Sequence, residues 1–224
     1  MKAKLVVIEG VDSSGKATQS RLLYESLKKK GLNVAMVEFP NYESNSSEAV
    51  KMYLRGDFGK DPDSVNAYSA SLLFAVDRFA SVKGTWKDKF SESDVVIADR
   101  YTTSNMVHQA SKISDIREKE EFLDWLYDLE YQKLTLPEPD LTIFLDMPVE
   151  YAKMLMANRA NKIDNSNVKD IHESNDKYLH DAYDNACFVA KKYGWTKISC
   201  VSENSVRTIE DIAEEILKIT EKTL

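Results

Sequence analysis

Cysteine occurs twice in this chain of 224 residues, proline five times and glycine seven times. Cys187 and Cys200 have neither C-x-x-C nor metal-ligand spacing, so nothing in them points to a disulfide framework or a cysteine-held metal. Reduced thiols in a cytosol are the expectation. Scarce glycine and proline argue against long disordered linkers. No apolar stretch approaches the length needed to span a bilayer. The start, Met1-Lys2-Ala3-Lys4-Leu5, runs straight into an apolar segment without a signal-peptide pattern. A basic excess is missing too: 30 Lys and Arg stand against 37 Asp and Glu, a formal net charge of −7. That balance disfavours a nucleic-acid or anionic-membrane surface, which needs a concentrated basic face. The chain reads as cytoplasmic, with no nucleic-acid and no membrane partner.

What is present suits one α/β domain over 1–224, with 43% hydrophobic residues and enough length for a continuous core. Five short apolar runs stand out: Leu5-Val6-Val7-Ile8, Val34-Ala35-Met36-Val37, Val95-Val96-Ile97-Ala98, Leu141-Thr142-Ile143-Phe144-Leu145 and Ile198-Ser199-Cys200-Val201. Each is apolar on both faces and separated from the next by helical periodicity. This is the pattern of a parallel sheet covered by helices on both sides. Helices are expected near 15–30, 46–55, 64–91, 103–111, 115–133, 148–159, 170–193 and 205–222. In such a doubly wound fold, ligands bind at the carboxyl ends of the strands.

The first run leads into Glu9-Gly10-Val11-Asp12-Ser13-Ser14-Gly15-Lys16-Ala17-Thr18. A buried strand, a Gly-x4-Gly-Lys turn and a helix start are the parts of a phosphate-binding loop. Its amides converge on phosphate oxygens, the helix dipole favours anions, and the lysine adds a point charge. Ala17 replaces the hydroxyl residue that usually helps hold magnesium.

Other strand ends carry chemistry as well. The second run ends in Glu38-Phe39-Pro40, the third in Asp99-Arg100-Tyr101 and the fourth in Asp146-Met147-Pro148. A carboxylate for a metal beside a guanidinium for phosphate supplies the two charges phosphoryl transfer needs. Phe74 and Arg78 lie four apart, on one face of a helix, where a ring and a donor could meet a nucleobase. The polar stretch 158–170, with Arg159 and Lys162, is expected to be an exposed loop that closes over a nucleotide.

Taken together, these segments resemble the thymidylate kinases, P-loop enzymes that phosphorylate dTMP to dTDP. The residues that carry the resemblance are 9–18, Glu38-Phe-Pro40, Leu72-Leu-Phe-Ala-Val-Asp-Arg78, Asp99-Arg-Tyr-Thr-Thr-Ser-Asn105, Leu136-Pro-Glu-Pro-Asp-Leu141 and Asp170-Ile-His-Glu173. The resemblance implies a three-layer P-loop NTPase fold with a five-stranded parallel sheet, ATP and Mg2+ as cofactors, and a homodimer. By it, Gly10, Ser13, Ser14, Gly15, Lys16, Ala17 and Thr18 would cradle ATP. Asp12 would lie between donor and acceptor, and Asp99 with Asp12 would hold magnesium through water. Phe39 and Pro40 would border the acceptor, Phe74 would stack on thymine, and Arg78 would donate to its O4. Arg100 would hold the acceptor phosphate, Asn105 would face the base, and His108 would face the sugar. Arg159 would close over the phosphates.

This chain departs from the family at Ala17, at Phe39-Pro40-Asn41-Tyr42, which has tyrosine where many relatives carry an arginine, and in a lid with one arginine. Two other readings therefore stand beside a dTMP kinase. One is a kinase for another deoxynucleotide or a deoxynucleoside. The other is a nucleotide-binding P-loop protein without turnover.

Overall fold

Strand β1 (Lys4–Glu9) is buried on both faces, as its unbroken apolar run requires. The computed structural model describes residues 3–156 and 176–224. Four more strands complete a sheet: β2 (Val34–Glu38), β3 (Val95–Asp99), β4 (Leu141–Asp146) and β5 (Thr196–Ser199). Their spatial order is β2-β3-β1-β4-β5, and every pairing is parallel. The chain leaves β1 toward β2 on one side and leaves β3 toward β4 on the other, so the switch point lies between the carboxyl ends of these two neighbours.

Alternation along β1 divides the core in two. Leu5 and Val7 join one buried cluster with Val96, Ala98, Phe122, Leu123 and Leu126. Val6 and Ile8 join the other with Ile97, Ile143, Leu23, Leu27 and Ile216. Helices α1 (Lys16–Lys29) and α9 (Ile209–Glu221) cover the second face. The first is covered by α5 (Thr102–His108), α6 (Ile116–Tyr127) and α8 (Asp176–Lys192). The remaining α-helices of the described residues are α2 (Glu48–Leu54), α3 (Ala67–Ala80), α4 (Lys87–Glu92) and α7 (Val149–Met156).

Three expected elements differ in detail. The helix expected over 64–91 is broken into α3, a π-helical turn at Ser81–Thr85 that contains Gly84, and α4. Its start is set by Asn66, whose side chain accepts the Ser69 amide at 2.8 Å. The helix expected over 115–133 ends as a second π segment, Asp128–Lys133. The helix expected from 205 starts at Ile209, capped by Thr208. Ser205–Val206 (β7) instead pairs antiparallel with Val201–Ser202 (β6). Glu203 and Asn204 turn this hairpin with φ of 50° and 62°, the left-handed pair that a tight two-residue hairpin needs. The fifth apolar run accordingly divides at Cys200, with β5 ending at Ser199.

Candidate active site

Four adjacent strands end in carboxylates at one edge of the sheet: Glu9, Glu38, Asp99 and Asp146. The first turn of the chain wraps over this edge. Gly10 has φ 159°, and a Cβ there would stand 2.5 Å from Ser14 Oγ and 3.1 Å from the Leu145 carbonyl. Only glycine fits that approach. Ser13 and Gly15 are left-handed at φ 60° and 92°, and α1 begins at Lys16 without a side-chain cap. The first-turn amides of α1 are thus available to an anion. Lys16 Nζ donates to the carbonyls of Gly10 at 2.8 Å and Val11 at 2.7 Å. Burial, and then the nearby Arg100 charge, pull its pKa down to about 8, with Asp12, Asp99 and Glu9 opposing.

Arg100 follows β3 in a left-handed conformation, φ 67°, with its amide donating to the Ile8 carbonyl at 3.2 Å. Its guanidinium pairs with Asp12 through Nη2 and meets His108 Nε2 through Nη1 at 3.0 Å. Arginine only donates, so His108 Nε2 accepts. Its Nδ1 lies 3.2 Å from the Tyr178 hydroxyl. Burial opposes the Arg100 charge, but Asp12, Glu9 and Asp99 more than offset it and raise its pKa. Glu9 is itself satisfied: Oε1 takes the Gly10 amide at 2.9 Å, and Oε2 takes the hydroxyls of Thr103 and Ser104, each at 2.7 Å. It ties the loop to α5.

A cleft of ≈ 500 Å³ runs from this loop to α3 and α5. It brings together Asp12 to Thr18, Phe39, Pro40, Phe74, Arg78, Asp99, Arg100, Asn105 and His108. Phe39 is buried against Trp86 and Tyr101, with ring centroids 5.1 and 5.5 Å away, and precedes Pro40 through a cis bond. Asp77 steadies the chain beyond: its carboxylate takes the Asn41 amide at 2.8 Å and the Ser46 hydroxyl at 2.6 Å. Phe74 and Arg78 share the cleft wall, as their spacing requires. Arg78 is 2% exposed and forms a two-point pair with Glu130, Nε–Oε2 2.7 Å and Nη2–Oε1 2.5 Å. Arg159, Lys162 and the rest of 158–170 lie outside the described residues.

The sequence reading missed several participants. Met147, Leu155, Val206 and Ile209 make an apolar wall on the far side of the phosphate loop. Beside it, Arg207 is held by Glu215 at 2.7 Å and the Ser199 carbonyl at 2.8 Å. The β6–β7 hairpin contributes Val206 to this wall, and its second strand, Ser205–Val206, had been read as the start of a helix. Tyr178 and Glu130 had no assigned role. Glu130 did leave a signal: it continues the buried Phe122, Leu126 stripe at intervals of four, where an acid is out of place.

Comparison with known proteins supplies the family. The family model described as thymidylate kinase matches residues 8–210. A probable thymidylate kinase of Thermococcus onnurineus is 30% identical over 224 residues, covering 98% of this chain and 98% of the relative. The thymidylate kinase of Mycobacterium tuberculosis is 32% identical over 170 residues, 75% of this chain and 77% of the relative. The structure of the Candida albicans thymidylate kinase superposes with a TM-score of 0.71 at 22% identity, covering 99% of this chain and 93% of that one. The fold is thus that of a P-loop kinase, and with a family match spanning most of its length the chain belongs to the thymidylate kinase family, an enzyme that phosphorylates nucleoside monophosphates.

Proposed function

We propose that the protein transfers the γ-phosphoryl group of ATP in line to the phosphate of dTMP, giving ADP and dTDP. The observation that carries this reading is one cleft joining the phosphate loop to the Phe74, Arg78 and Asn105 wall. Donor phosphates lie against the loop amides and Lys16, and the donor base lies against Met147, Val206 and Ile209. Arg100, fixed between Asp12 and His108, takes the acceptor phosphate. The acceptor is already ionised and attacks without a strong base, so catalysis is alignment and charge stabilisation.

Among the described residues no cluster of three or more His, Cys, Asp or Glu can cage a metal. That suits magnesium, which keeps its waters and rides on phosphates with one or two carboxylates. Asp99 and Asp12 are the carboxylates beside the loop that fit it. Bound there, the ion would spread charge over the phosphate oxygens. The protein's own part is to hold Asp12 and Arg100 in register.

The test compares ADP formation from ATP and magnesium with dTMP, dUMP, dCMP, dGMP and thymidine as acceptors. Turnover with dTMP well above the rest is expected. Preference for another acceptor would overturn the assignment of the base wall, and binding of ATP without any turnover would point to a non-catalytic protein.

The outer face of α3 supports a homodimer. Tyr68, Leu72, Val76 and Phe79 follow at intervals of four, four and three, all exposed, with Val76 at 59%. One helix thus lines the cleft with Phe74 and Arg78 and presents an apolar stripe on its other side. Two such stripes are self-complementary about a two-fold axis. Sedimentation equilibrium should show a dimer at micromolar concentration and a monomer for Val76→Glu; a monomeric parent protein would end the proposal. Among the described residues no helix is long and apolar enough to cross a membrane. A cytoplasmic setting is supported by two unpaired cysteines, with Cys200 pushed up to about 12 by burial and so kept as a thiol.

A further inference from the structure

Glu130 is fully buried and does not border the cleft, yet it organises the wall that does. Its carboxylate accepts four hydrogen bonds: Arg78 Nε at 2.7 Å, Arg78 Nη2 at 2.5 Å, Thr102 Oγ1 at 2.8 Å and Asn105 Nδ2 at 3.2 Å. Three of those donors belong to the two residues assigned to base recognition.

The consequences follow from donor counting. Arg78 has five N–H groups. Two go to Glu130, and Nη1 reaches the Tyr101 carbonyl at 3.4 Å. The N–H groups left over on the terminal nitrogens are what Arg78 offers the cleft. Asn105 Nδ2 also donates to the Ser71 carbonyl at 3.2 Å. Both partners of that nitrogen are acceptors only, so the amide cannot be turned round without aiming oxygen at oxygen. Asn105 Oδ1 is therefore the atom it offers the cleft it lines. The wall shows a donor from Arg78 and an acceptor from Asn105. A pyrimidine with a carbonyl at C4 and N–H at N3 presents the complement. Cytosine presents the reverse, an amine and a lone pair.

We infer that Glu130 is a positioning residue that fixes the donor–acceptor polarity of this wall, and thereby the preference for a 4-keto over a 4-amino pyrimidine. The inference rests on the reading of Phe74, Arg78 and Asn105 as the base site. A buried ion pair gives little net stability over well-packed apolar side chains, so its value here is orientation. The π segment Asp128–Lys133 is what delivers the carboxylate, a local irregularity of a kind common at functional sites. Glu130→Gln would keep the shape but remove the charge and put an amide NH2 group in place of one acceptor oxygen. At the Oε2 position that group faces the Arg78 Nε donor, and at the Oε1 position it faces the Arg78 Nη2 and Asn105 Nδ2 donors, so either orientation loosens the wall.

The experiment measures kcat/KM for dTMP and dCMP, and KM for ATP, in the wild type and in Glu130→Gln, with thermal melting to confirm folding. The dTMP-to-dCMP ratio should fall by at least about tenfold, with KM for ATP within about twofold of wild type. A purely structural role would not move that ratio. If Glu130→Gln fails to fold, Thr102→Val keeps the ion pair and removes one donor, and a fall of about threefold is expected. An unchanged ratio in a folded variant overturns the inference alone. A wild type that uses both acceptors equally overturns the base-site reading, and the inference with it.

Discussion

Replacing Arg100 with methionine should lower kcat/KM for dTMP by about 10²- to 10³-fold, the usual effect of removing a charged group that stabilises a transition state. The loss should exceed that of an ordinary phosphate contact, because Arg100 shares with Lys16 the task of neutralising Asp12, Glu9 and Asp99. Without it, three carboxylates face an incoming dianion with less to neutralise them. Arg100→Lys should recover only part of the activity: a single ammonium cannot engage Asp12, His108 and a phosphate in the geometry of the fork. Its φ of 67° is unfavourable for a residue with a side chain by about 1–2 kcal/mol. Steady-state kinetics with dTMP and ATP varied separately decides the matter. Loss confined to ATP, or less than about threefold for dTMP, would remove Arg100 from acceptor binding.

Lys16→Met should be comparably severe on the donor side, lowering kcat/KM for ATP by about 10²- to 10³-fold. Its melting temperature should change little, because relief of a buried ammonium whose pKa burial depresses offsets the loss of its bonds to the Gly10 and Val11 carbonyls. That combination separates lost chemistry from lost folding. The same depressed pKa gives a pH dependence. The charged ammonium binds phosphate, and the free protein loses that charge as pH rises through about 8. ATP affinity should therefore be full below pH 8 and weaken above it, by at most about tenfold per pH unit. Binding above pH 8 should take up a proton, seen by calorimetry in two buffers of different ionisation enthalpy. A KM for ATP that stays flat between about pH 7 and 9.5 would contradict this role, as would the same proton uptake in Lys16→Met.

Much of this candidate site is legible in the sequence because its residues sit where backbone rules apply. Gly10 and Gly15 mark a turn, Leu5 to Ile8 mark a buried strand, and Asp99-Arg100 mark a strand end. Each signal is local in sequence. What was not legible depends on contacts between distant segments. Nothing near Glu130 announces Arg78, 52 residues earlier. His108 was expected to face the sugar, and only the folded chain shows it between Arg100 and Tyr178. The hairpin at 201–206 escaped because Ser205–Val206 flows into a helical pattern, and the left-handed pair Glu203-Asn204 lacks the glycine that would mark a turn. The π segments escaped for a similar reason: their side chains keep an almost helical rhythm while the backbone shifts register.

The buried position of Glu130 also bears on how such enzymes diverge. A Glu-to-Gln exchange is one nucleotide change in the genetic code, and here it would leave every residue facing the substrate untouched. Acceptor preference could then drift between lineages whose binding walls are letter for letter the same. Sorting relatives by their visible contact residues would place such enzymes together, while the inherited difference sat one layer deeper.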